Sequence, residues 1–324
     1  MADKFESGMM GSGQVAWHGK GNVISGLATR EEAIVLAGQD WQVVKVNAQL
    51  NGKDVPGCFL TVRMDTQAVL GMVGPHYNPI QNSELYDFLD PVIDAKEAVY
   101  ETAGVLCGGK KVWIMAKLPS EYVIAKDDLV QQFLLVATSH DGSLAYTITW
   151  TDIRVVCANT LGMALNMAER GGNGVYHVKH THDYGSYIKM AHNVMGLASK
   201  NTGIASSLFS ELAAHKMNGA LVNEFIRHMI PASQKEEATG KVHELISQKR
   251  EIILNNFDDD MNNPEGAEGS GWTAYNAVTQ WIDYSKPARA KTDRLNWSWF
   301  GDGQRYRAKA LKWLAGNLLN RKFD

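Results

Sequence analysis

The sequence predicts an α+β fold, with an antiparallel sheet and a β-β-β-α unit in the N-terminal half and a mainly helical C-terminal half. Residues 41–50, 55–64 and 68–73 are three strand-like runs of apolar side chains, and 41–50 alternates around Val43, Val44 and Val46. Residues 82–102 carry apolar side chains at helical spacing. After Cys157 the pattern changes from the period of strands to that of helices, and this change divides the two halves.

Local signals place the ends of several elements. Thr29 and Glu32 have the spacing of a capping box, which predicts a short helix that ends at Gly38. Asn-Gly at 51–52 and Asp-Gly at 141–142 are pairs that hairpin turns prefer. The further predicted strands are 112–118, 122–124, 133–137, 144–150 and 153–157. The further predicted helices are 161–170, 187–216, 220–229, 234–257, 272–283 and 305–319.

Length and composition bound the class of protein. The chain has 324 residues, more than the ~100–200 of a usual domain, and we divide it into a flexible arm (1–15), a sheet-rich domain (16–180) and a helical region (181–324). Its three cysteines are scattered, which fits a reducing compartment. No apolar run reaches the ~18 residues of a membrane span, and the polar N-terminus lacks the features of a signal peptide. We expect a protein of the bacterial cytoplasm that does not enter a membrane.

The C-terminal segment is strongly basic. Between Tyr284 and Lys322 it holds ten basic and two acidic residues, whereas the rest of the chain sums to a net charge of roughly −11. Cationic side chains neutralise phosphates, and the interleaved aromatic rings suit stacking on unpaired bases. The segment therefore predicts a surface for single-stranded nucleic acid. The predicted contact residues are Arg289, Lys291, Arg294, Trp299, Arg305, Arg307 and Lys309.

The same segment has a second interpretation. Trp313, Leu314 and Leu318 have the spacing of the core face of an amphipathic helix. Arg307, Lys309 and Lys312 would then lie on its solvated side, and Trp299 would belong to the core. The sequence leaves both interpretations open.

Four residues are candidate metal ligands: His177, His180, His182 and Asp183. Imidazole and carboxylate groups suit zinc or a similar ion. A surface or polar-core role fits their spacing better, because His177 and His180 would lie on opposite faces of a strand. Neither a cysteine pair nor an HExxH helix accompanies them. We therefore predict no metal and no cofactor.

Other polar motifs point to structure rather than catalysis. Asp141, Asp152 and Arg154 flank the predicted hairpin, where they could act as acid, base or metal ligand. Turn formation and a surface ion pair are the commoner roles of such residues. The triplet Asp258–Asp260 resembles a solvated loop and lacks the spaced ligands of a calcium loop. The glycines at 108–109 lack the frame of a phosphate-binding loop, so the sequence favours a binding protein over an enzyme.

A set of ordered phrases resembles the phage/plasmid-like family known as domain of unknown function 932. The resemblance spans residues 16–316 and implies a mobile-element setting without an agreed activity. The phrases are AWHG (16–19), HDGS (140–143), IRVVCANTL (153–161), HT (180–181), GWTAYNAVT (271–279), WFG (299–301) and KA (309–310). The motif IRVVCANTL also leads us to expect Val155, Val156 and Cys157 to be buried and Asn159-Thr160 to cap the helix that follows.

Three hypotheses for function follow. The first is an oligomeric single-stranded DNA-binding or annealing protein of a phage or mobile element, since the predicted β-β-β-α unit is similar to the core of phage annealing proteins. The second is a metal-dependent nucleotide or nucleic-acid hydrolase that uses the histidine cluster with Asp141 and Asp152. The third is an interaction protein that blocks a host factor. The basic segment places the first hypothesis ahead of the others, with single-stranded DNA and further copies of the chain as expected partners.

Overall fold

The computed structural model describes residues 10–12, 22–24, 28–155, 159–160, 175–178, 193, 196, 202–232, 240–285 and 294–321. These residues form two compact units. The first unit takes the described residues within Met1–Pro119, Gln132–Trp150 and Gly174–Ala198, and the second takes those within Ser120–Gln131, Thr151–Asn173 and Ser199–Asp324. The two units therefore interleave along the sequence. No helix in the described part of the chain is long and apolar enough to span a membrane.

The strands confirm the predicted α+β class. Strands β3, β4 and β5 form a three-stranded antiparallel sheet in sequence order. A larger sheet has the order β10-β9-β8-β7-β6, with β11 also paired to β9, and β1 pairs with β2. The strands are β1 (Met10–Ser12), β2 (Asn22–Ile24), β3 (Val43–Leu50), β4 (Lys53–Arg63), β5 (Ala68–Val73), β6 (Val99–Leu106), β7 (Lys111–Val123), β8 (Leu129–Ser139), β9 (Tyr146–Arg154), β10 (Asn159–Thr160) and β11 (Val175–Val178).

Helices dominate the later part of the chain, as the patterning predicts. The helices are α1 (Arg30–Leu36), α2 (Glu84–Asp94), α3 (residues 202–214), α4 (Gly219–Met229), α5 (Lys241–Phe257), α6 (Gly271–Gln280), α7 (Arg294–Phe300) and α8 (Asp302–Leu319). A five-residue π-helix, Trp281–Ser285, continues α6. The predicted helix 161–170 lies outside the described residues, as do residues 234–239 of the helix predicted over 234–257. Before residue 202, the predicted helix 187–216 is described only at residues 193 and 196, which are helical. Helix α7 was not predicted.

The β-β-β-α unit forms as expected, with one error at its end. Asn51 and Gly52 both have positive φ angles, 52° and 74°, so they form the hairpin turn that joins β3 to β4. The capping box at Thr29 is also present, with its hydroxyl accepting from the main-chain N–H of Glu32. The predicted helix 82–102 is too long, because α2 ends at Asp94 and residues 99–106 form β6.

A Schellman motif ends α2 earlier than the sequence indicates. Lys96 takes a left-handed conformation, with φ of 60°. Its N–H donates to the main-chain oxygen of Ile93, and the N–H of Glu97 donates to that of Val92. Glycine usually occupies the left-handed position of this motif, so a lysine there gives no stop signal in the sequence.

Two further expectations were wrong. The strands predicted at 112–118 and 122–124 are one strand, β7, which continues through the exposed Pro119. Val155 is 41% exposed rather than buried, while residues 156–158 lie outside the described part. Asn159 and Thr160 pair with β9 as strand β10, and the helix that they were expected to cap lies outside the described residues.

The core of the first unit lies between helix α2 and the sheet strands. Leu85, Phe88, Leu89 and Val92 occupy one face of α2, and none of them is exposed. Their spacing of three and four residues is that of an amphipathic helix. They pack with the apolar side chains of β6, β7, β8 and β9 in one continuous cluster. This burial of apolar surface is the main stabilising term of the unit.

The core of the second unit surrounds helix α6. Every residue from Gly271 to Thr279 is buried, so α6 is a central helix that other helices enclose. Phe209 of α3 stacks on Tyr275 at 5.5 Å between ring centroids and lies 4.9 Å from the ring of Trp272. Ser270 begins the helix with a capping box. The GWTAYNAVT phrase is therefore a structural element of the second unit.

Candidate nucleic-acid interface

Helix α8 carries a row of cationic side chains along one side. Arg305, Lys309 and Lys312 are spaced by four and three residues, which places them on one face of the helix. Together with His228, Ala308 and Trp313 they line a cavity of about 540 Å³, which we call the α8 groove. None of these lining residues is acidic. The groove is therefore a shallow, open cationic surface with one indole ring.

The outer cations of the row are accessible. The side chain of Arg305 is 78% exposed and forms an ion pair with the exposed Asp302 at 3.1 Å. Such an exposed pair contributes ~0–1 kcal/mol, so it competes weakly with a phosphate for the guanidinium. Lys312 is exposed as well. These two residues mark the ends of the row.

Lys309 and His228 form the inner wall of the groove. The ammonium of Lys309 donates to the main-chain oxygen of His228, at the end of helix α4, and lies 3.4 Å from that of Met229. A lysine at this place satisfies carbonyls that the last turn of a helix leaves free. Burial lowers the pKa of Lys309. Burial, and then the charge of Lys309, lowers the pKa of His228, so its imidazole is neutral near pH 7 and the lysine carries the local charge.

Trp313 supplies the aromatic wall. Its ring lies 5.2 Å from that of Phe225 and 6.2 Å from that of His228, both on α4. The side chain is half-buried, so it packs against the core on one side and borders the groove with the other. The second interpretation of the sequence placed Trp313 on the core face of an amphipathic helix, and one side of its ring does pack against the core.

Trp299 and Arg307 were predicted to contact nucleic acid, but both are buried. Trp299 is 1% exposed and Arg307 is 0% exposed. The guanidinium of Arg307 forms an ion pair with Asp283 and donates to the main-chain oxygen of Ser298 at 2.8 Å and to its hydroxyl at 2.9 Å. The Ser298 hydroxyl donates to Asp283 at 2.6 Å. Neither side chain is available to a ligand, which agrees with the interpretation that Trp299 belongs to the core. That interpretation was wrong for Arg307, which it placed on the solvated side of the helix.

The rest of the predicted contact residues divide into three groups. Arg305 and Lys309 come together in the α8 groove. Arg294 is the first residue of α7. Arg289 and Lys291 lie outside the described residues. The groove also includes Lys312 and His228, which the list of predicted contact residues omitted. The spacing of Arg305, Lys309 and Lys312 is the signal that could have identified Lys312.

The candidate metal ligands do not form a described site. His177 lies in β11, where its backbone pairs with Thr147 of β9. His180, His182 and Asp183 lie outside the described residues. Within the described part of the chain, no group of three or more histidine, cysteine, aspartate or glutamate residues is placed to hold a metal ion. The acidic triplet Asp258–Asp260 forms no such group either. Its middle residue, Asp259, accepts from the N–H of Met261 at 3.0 Å and begins a short 3-10 turn.

Asp141 has the structural role that the commoner interpretation gives it. Its carboxylate accepts from the N–H of Ser143 at 2.9 Å, and Gly142 has a φ of 75°. These contacts form the turn between β8 and β9. Burial opposes ionisation of Asp141, but hydrogen bonds from Ser143 and Ser139 and the charge of Lys111 together outweigh it, so the pKa of Asp141 is lowered.

Arg154 and Asp152 are both buried. The guanidinium of Arg154 forms an ion pair with Asp128 at 2.6 Å and donates to the main-chain oxygen of Met261 at 2.8 Å. The indole N–H of Trp272 donates to the second oxygen of Asp128 at 2.7 Å. The expectation of a surface pair is wrong for Arg154, because only 1% of it is exposed. Burial, and then the neighbouring Asp152, raises the pKa of Tyr122 well above its ordinary value.

Comparison with known proteins identifies a family and no closer relative. Residues 69–299 match the family described as Domain of unknown function (DUF932). No curated protein and no solved structure matches the chain significantly. The matched range covers most of the chain, including the β8–β9 turn and helix α6, and ends before the row of cations on α8.

Proposed function

Because the chain belongs to the DUF932 family, whose description assigns no activity, we propose a function from the site alone: the second unit binds single-stranded nucleic acid in the α8 groove. The observation that supports this proposal is the row of Arg305, Lys309 and Lys312 beside the half-buried ring of Trp313. Proteins that bind single strands combine a positively charged groove with aromatic side chains.

The length of the row fits several phosphates. Arg305 and Lys312 are seven residues apart, which corresponds to ~10 Å along a helix that rises ~1.5 Å per residue. Phosphates of a stacked strand follow one another at ~3.4 Å along the axis, so the row spans about three nucleotides. No acidic side chain lines the groove, and the one carboxylate beside the row is the exposed Asp302, which pairs weakly with Arg305.

The ring of Trp313 favours an unpaired strand over a duplex. A base can stack on an aromatic ring only when its face is free, and the bases of a duplex stack on one another. Trp313 and Lys312 both line the groove, so a strand that lies there can place a base at the ring and a phosphate at the ammonium. A duplex can use the cations but not the ring.

The test is a measurement of binding against salt concentration. Fluorescence anisotropy of a labelled 20-nucleotide single strand and of the matched duplex is recorded at several salt concentrations from 50 to 200 mM. The wild-type protein is compared with the double variant Arg305→Gln/Lys312→Gln. A second double variant, Lys53→Gln/Lys241→Gln, removes the same charge from two exposed lysines elsewhere and is the control. Lys309 is left unchanged because its ammonium stabilises the end of α4.

We expect the groove variant to bind every sequence more weakly and to lose about 1.4 from the slope of log affinity against log salt, since each phosphate contact contributes ~0.7 for a single strand. The control variant should keep the wild-type slope. Equal losses in the two double variants would show that only net charge matters. If the folded wild-type protein binds no oligonucleotide at 50 mM salt, the proposal is wrong.

A further inference from the structure

The α8 groove contains one side chain that can change its charge near neutral pH, His228. The other basic residues of the lining, Arg305, Lys309 and Lys312, stay protonated throughout that range. An imidazole has an ordinary pKa of ~6.5, so its charge responds to small changes in its surroundings. The number of cations that a phosphate meets in the groove therefore also depends on His228.

The ring of His228 lies where a bound strand would pass. It is 6.2 Å from the ring of Trp313, and the side chain is exposed, so water reaches the imidazole. The main-chain oxygen of the same residue accepts from the ammonium of Lys309, which holds the end of α4 against α8. A strand that stacks a base on Trp313 and places a phosphate at Lys309 therefore comes close to the imidazole.

The helices that pack against α4 bring cations to this end of it. Helix α8 supplies the row of three, and Lys309 is the member that contacts His228 directly. Helix α5 supplies Arg250, whose guanidinium donates to the main-chain oxygen of Ile230 at 2.8 Å, just after the end of α4. In the free protein, a proton added to His228 therefore joins a group of positive charges.

The nearby acidic side chains do not line the groove. Glu224 lies one turn before His228 on α4, and Arg227 is the residue next to the histidine. Asp302 lies beside the row of cations and pairs with the exposed Arg305. Neither carboxylate belongs to the lining, so the anion that would favour a charged imidazole there has to come from a ligand.

A phosphate in the groove would reverse the balance at His228. In the free protein, partial burial lowers the pKa of His228, and the charge of Lys309 lowers it further. A phosphate neutralises the charge of Lys309 and adds a negative charge near the imidazole. An opposite charge within ~4–6 Å favours the charged form of a group, so a bound strand should raise the pKa of His228.

We propose that His228 takes up a proton when a phosphate enters the α8 groove, so that the affinity for single-stranded nucleic acid rises as the pH falls. This inference rests on the proposed function of the groove. If the pKa of His228 is higher in the complex than in the free protein, the complex holds more protons between the two values. Lowering the pH through that interval then favours the complex, by the same linkage that relates protonation to folding.

The experiment is fluorescence anisotropy of a labelled 20-nucleotide oligo(dT) from pH 5.5 to 8 at constant salt, because thymine takes up no proton in this range. The wild-type affinity should rise about tenfold towards pH 5.5. The slope of log affinity against log salt should be steeper there by about 0.7, the contribution of one further phosphate contact. The variant His228→Gln should lose both effects. The control is His243→Gln, which removes an exposed histidine of α5 outside the lining and should keep both.

Two further measurements separate a titrating role of His228 from a structural one. Nuclear magnetic resonance of the ring protons should give a higher pKa for His228 with oligo(dT) bound than without it. The variant His228→Arg carries a permanent charge, so it should bind more tightly than His228→Gln at pH 8 and show no pH dependence. If the ring only supports the end of α4, both variants should weaken binding alike.

The outcomes distinguish this inference from the proposed function. A wild-type affinity that stays constant over the pH range overturns the inference, as does a pH dependence that His228→Gln retains. The proposed function survives either result if Arg305→Gln/Lys312→Gln still lowers the salt slope at pH 8. If the wild type binds no oligonucleotide at any pH, both are wrong. Circular dichroism checks the fold at each pH, and the comparison ends at pH 6 if the protein unfolds below it.

Discussion

Replacing Arg307 with methionine tests whether the basic C-terminal segment is divided into a buried and an exposed part. Arg307 and Arg305 lie two residues apart on α8, but the first is 0% exposed and the side chain of the second is 78% exposed. Methionine has a similar length and no charge, so Arg307→Met removes the guanidinium without a large cavity. The matched variant is Arg305→Met.

The expected cost follows from what Arg307 leaves behind. Without it, Asp283 keeps the hydrogen bond from the Ser298 hydroxyl but stays 2% exposed and loses its cation. Removing one partner of a buried ion pair costs ~3–5 kcal/mol, which is a large part of the ~5–15 kcal/mol that stabilises a domain. Arg305→Met removes an exposed pair and should cost at most ~1 kcal/mol.

Urea unfolding followed by tryptophan fluorescence measures both variants. With a slope of ~2–3 kcal/mol per molar urea, the midpoint of Arg307→Met should fall by about 1–2 M, whereas that of Arg305→Met should move by less than ~0.5 M. The double variant Asp283→Leu/Arg307→Met should be more stable than Arg307→Met, because no charge is left unpaired in it. Equal midpoints for the two single variants would refute the assignment of Arg307 to the core. Oligonucleotide binding should show the reverse order, with loss in Arg305→Met alone.

Two further predictions concern the first unit. Gly71→Ala should lower the melting temperature, because an added Cβ would lie 2.6 Å from the backbone of Asp141. The control is Gly74→Ala, whose added Cβ meets nothing within 4 Å and which should leave the melting temperature unchanged. Burial lowers the pKa of His140 to about 4, below its unfolded value of ~6.5, so the unfolded state binds more protons than the folded state between those two values. The free energy of unfolding, measured by urea titration, should therefore decrease by roughly 3 kcal/mol as the pH is lowered from 6.5 to 4. His140→Gln should flatten that dependence, and an unchanged slope would contradict the assignment.

The sequence predicted the sheet well because alternation and turn residues are local. β5 runs from residue 68 to 73 as predicted, and the Asn51-Gly52 turn has the positive φ angles that those residues favour. The predicted bounds of helices and strands were wrong where a residue that is rare at that position of the element occupies it. Lys96 ends α2 in a place that glycine normally takes, and Pro119 lies inside β7. No local rule marks either position.

The candidate site was predicted only in part, because the composition of a segment does not show which side of a helix faces the core. Arg305, Arg307 and Lys309 look alike in sequence, yet Arg307 points to Asp283 and the others border the α8 groove. Asp283 lies 24 residues away from Arg307, within a π-helix that the sequence did not indicate. A buried partner at that distance is a tertiary fact, so the composition of the segment alone could not separate an arginine of the core from one of the surface.

The division of the basic C-terminal segment into a buried and an exposed part also explains why an acidic protein can carry a cationic groove. A basic segment on a chain of net charge −3 could neutralise acidic neighbours entirely, in which case it would attract no polyanion. Arg307 is used in this way, since its charge is matched by Asp283 and removed from water. Lys309 is directed to main-chain oxygens, which carry no net charge, so its positive charge remains in the groove. The field that a phosphate meets there therefore depends on Lys309, Lys312 and the weakly paired Arg305, and not on the count of basic residues in the segment.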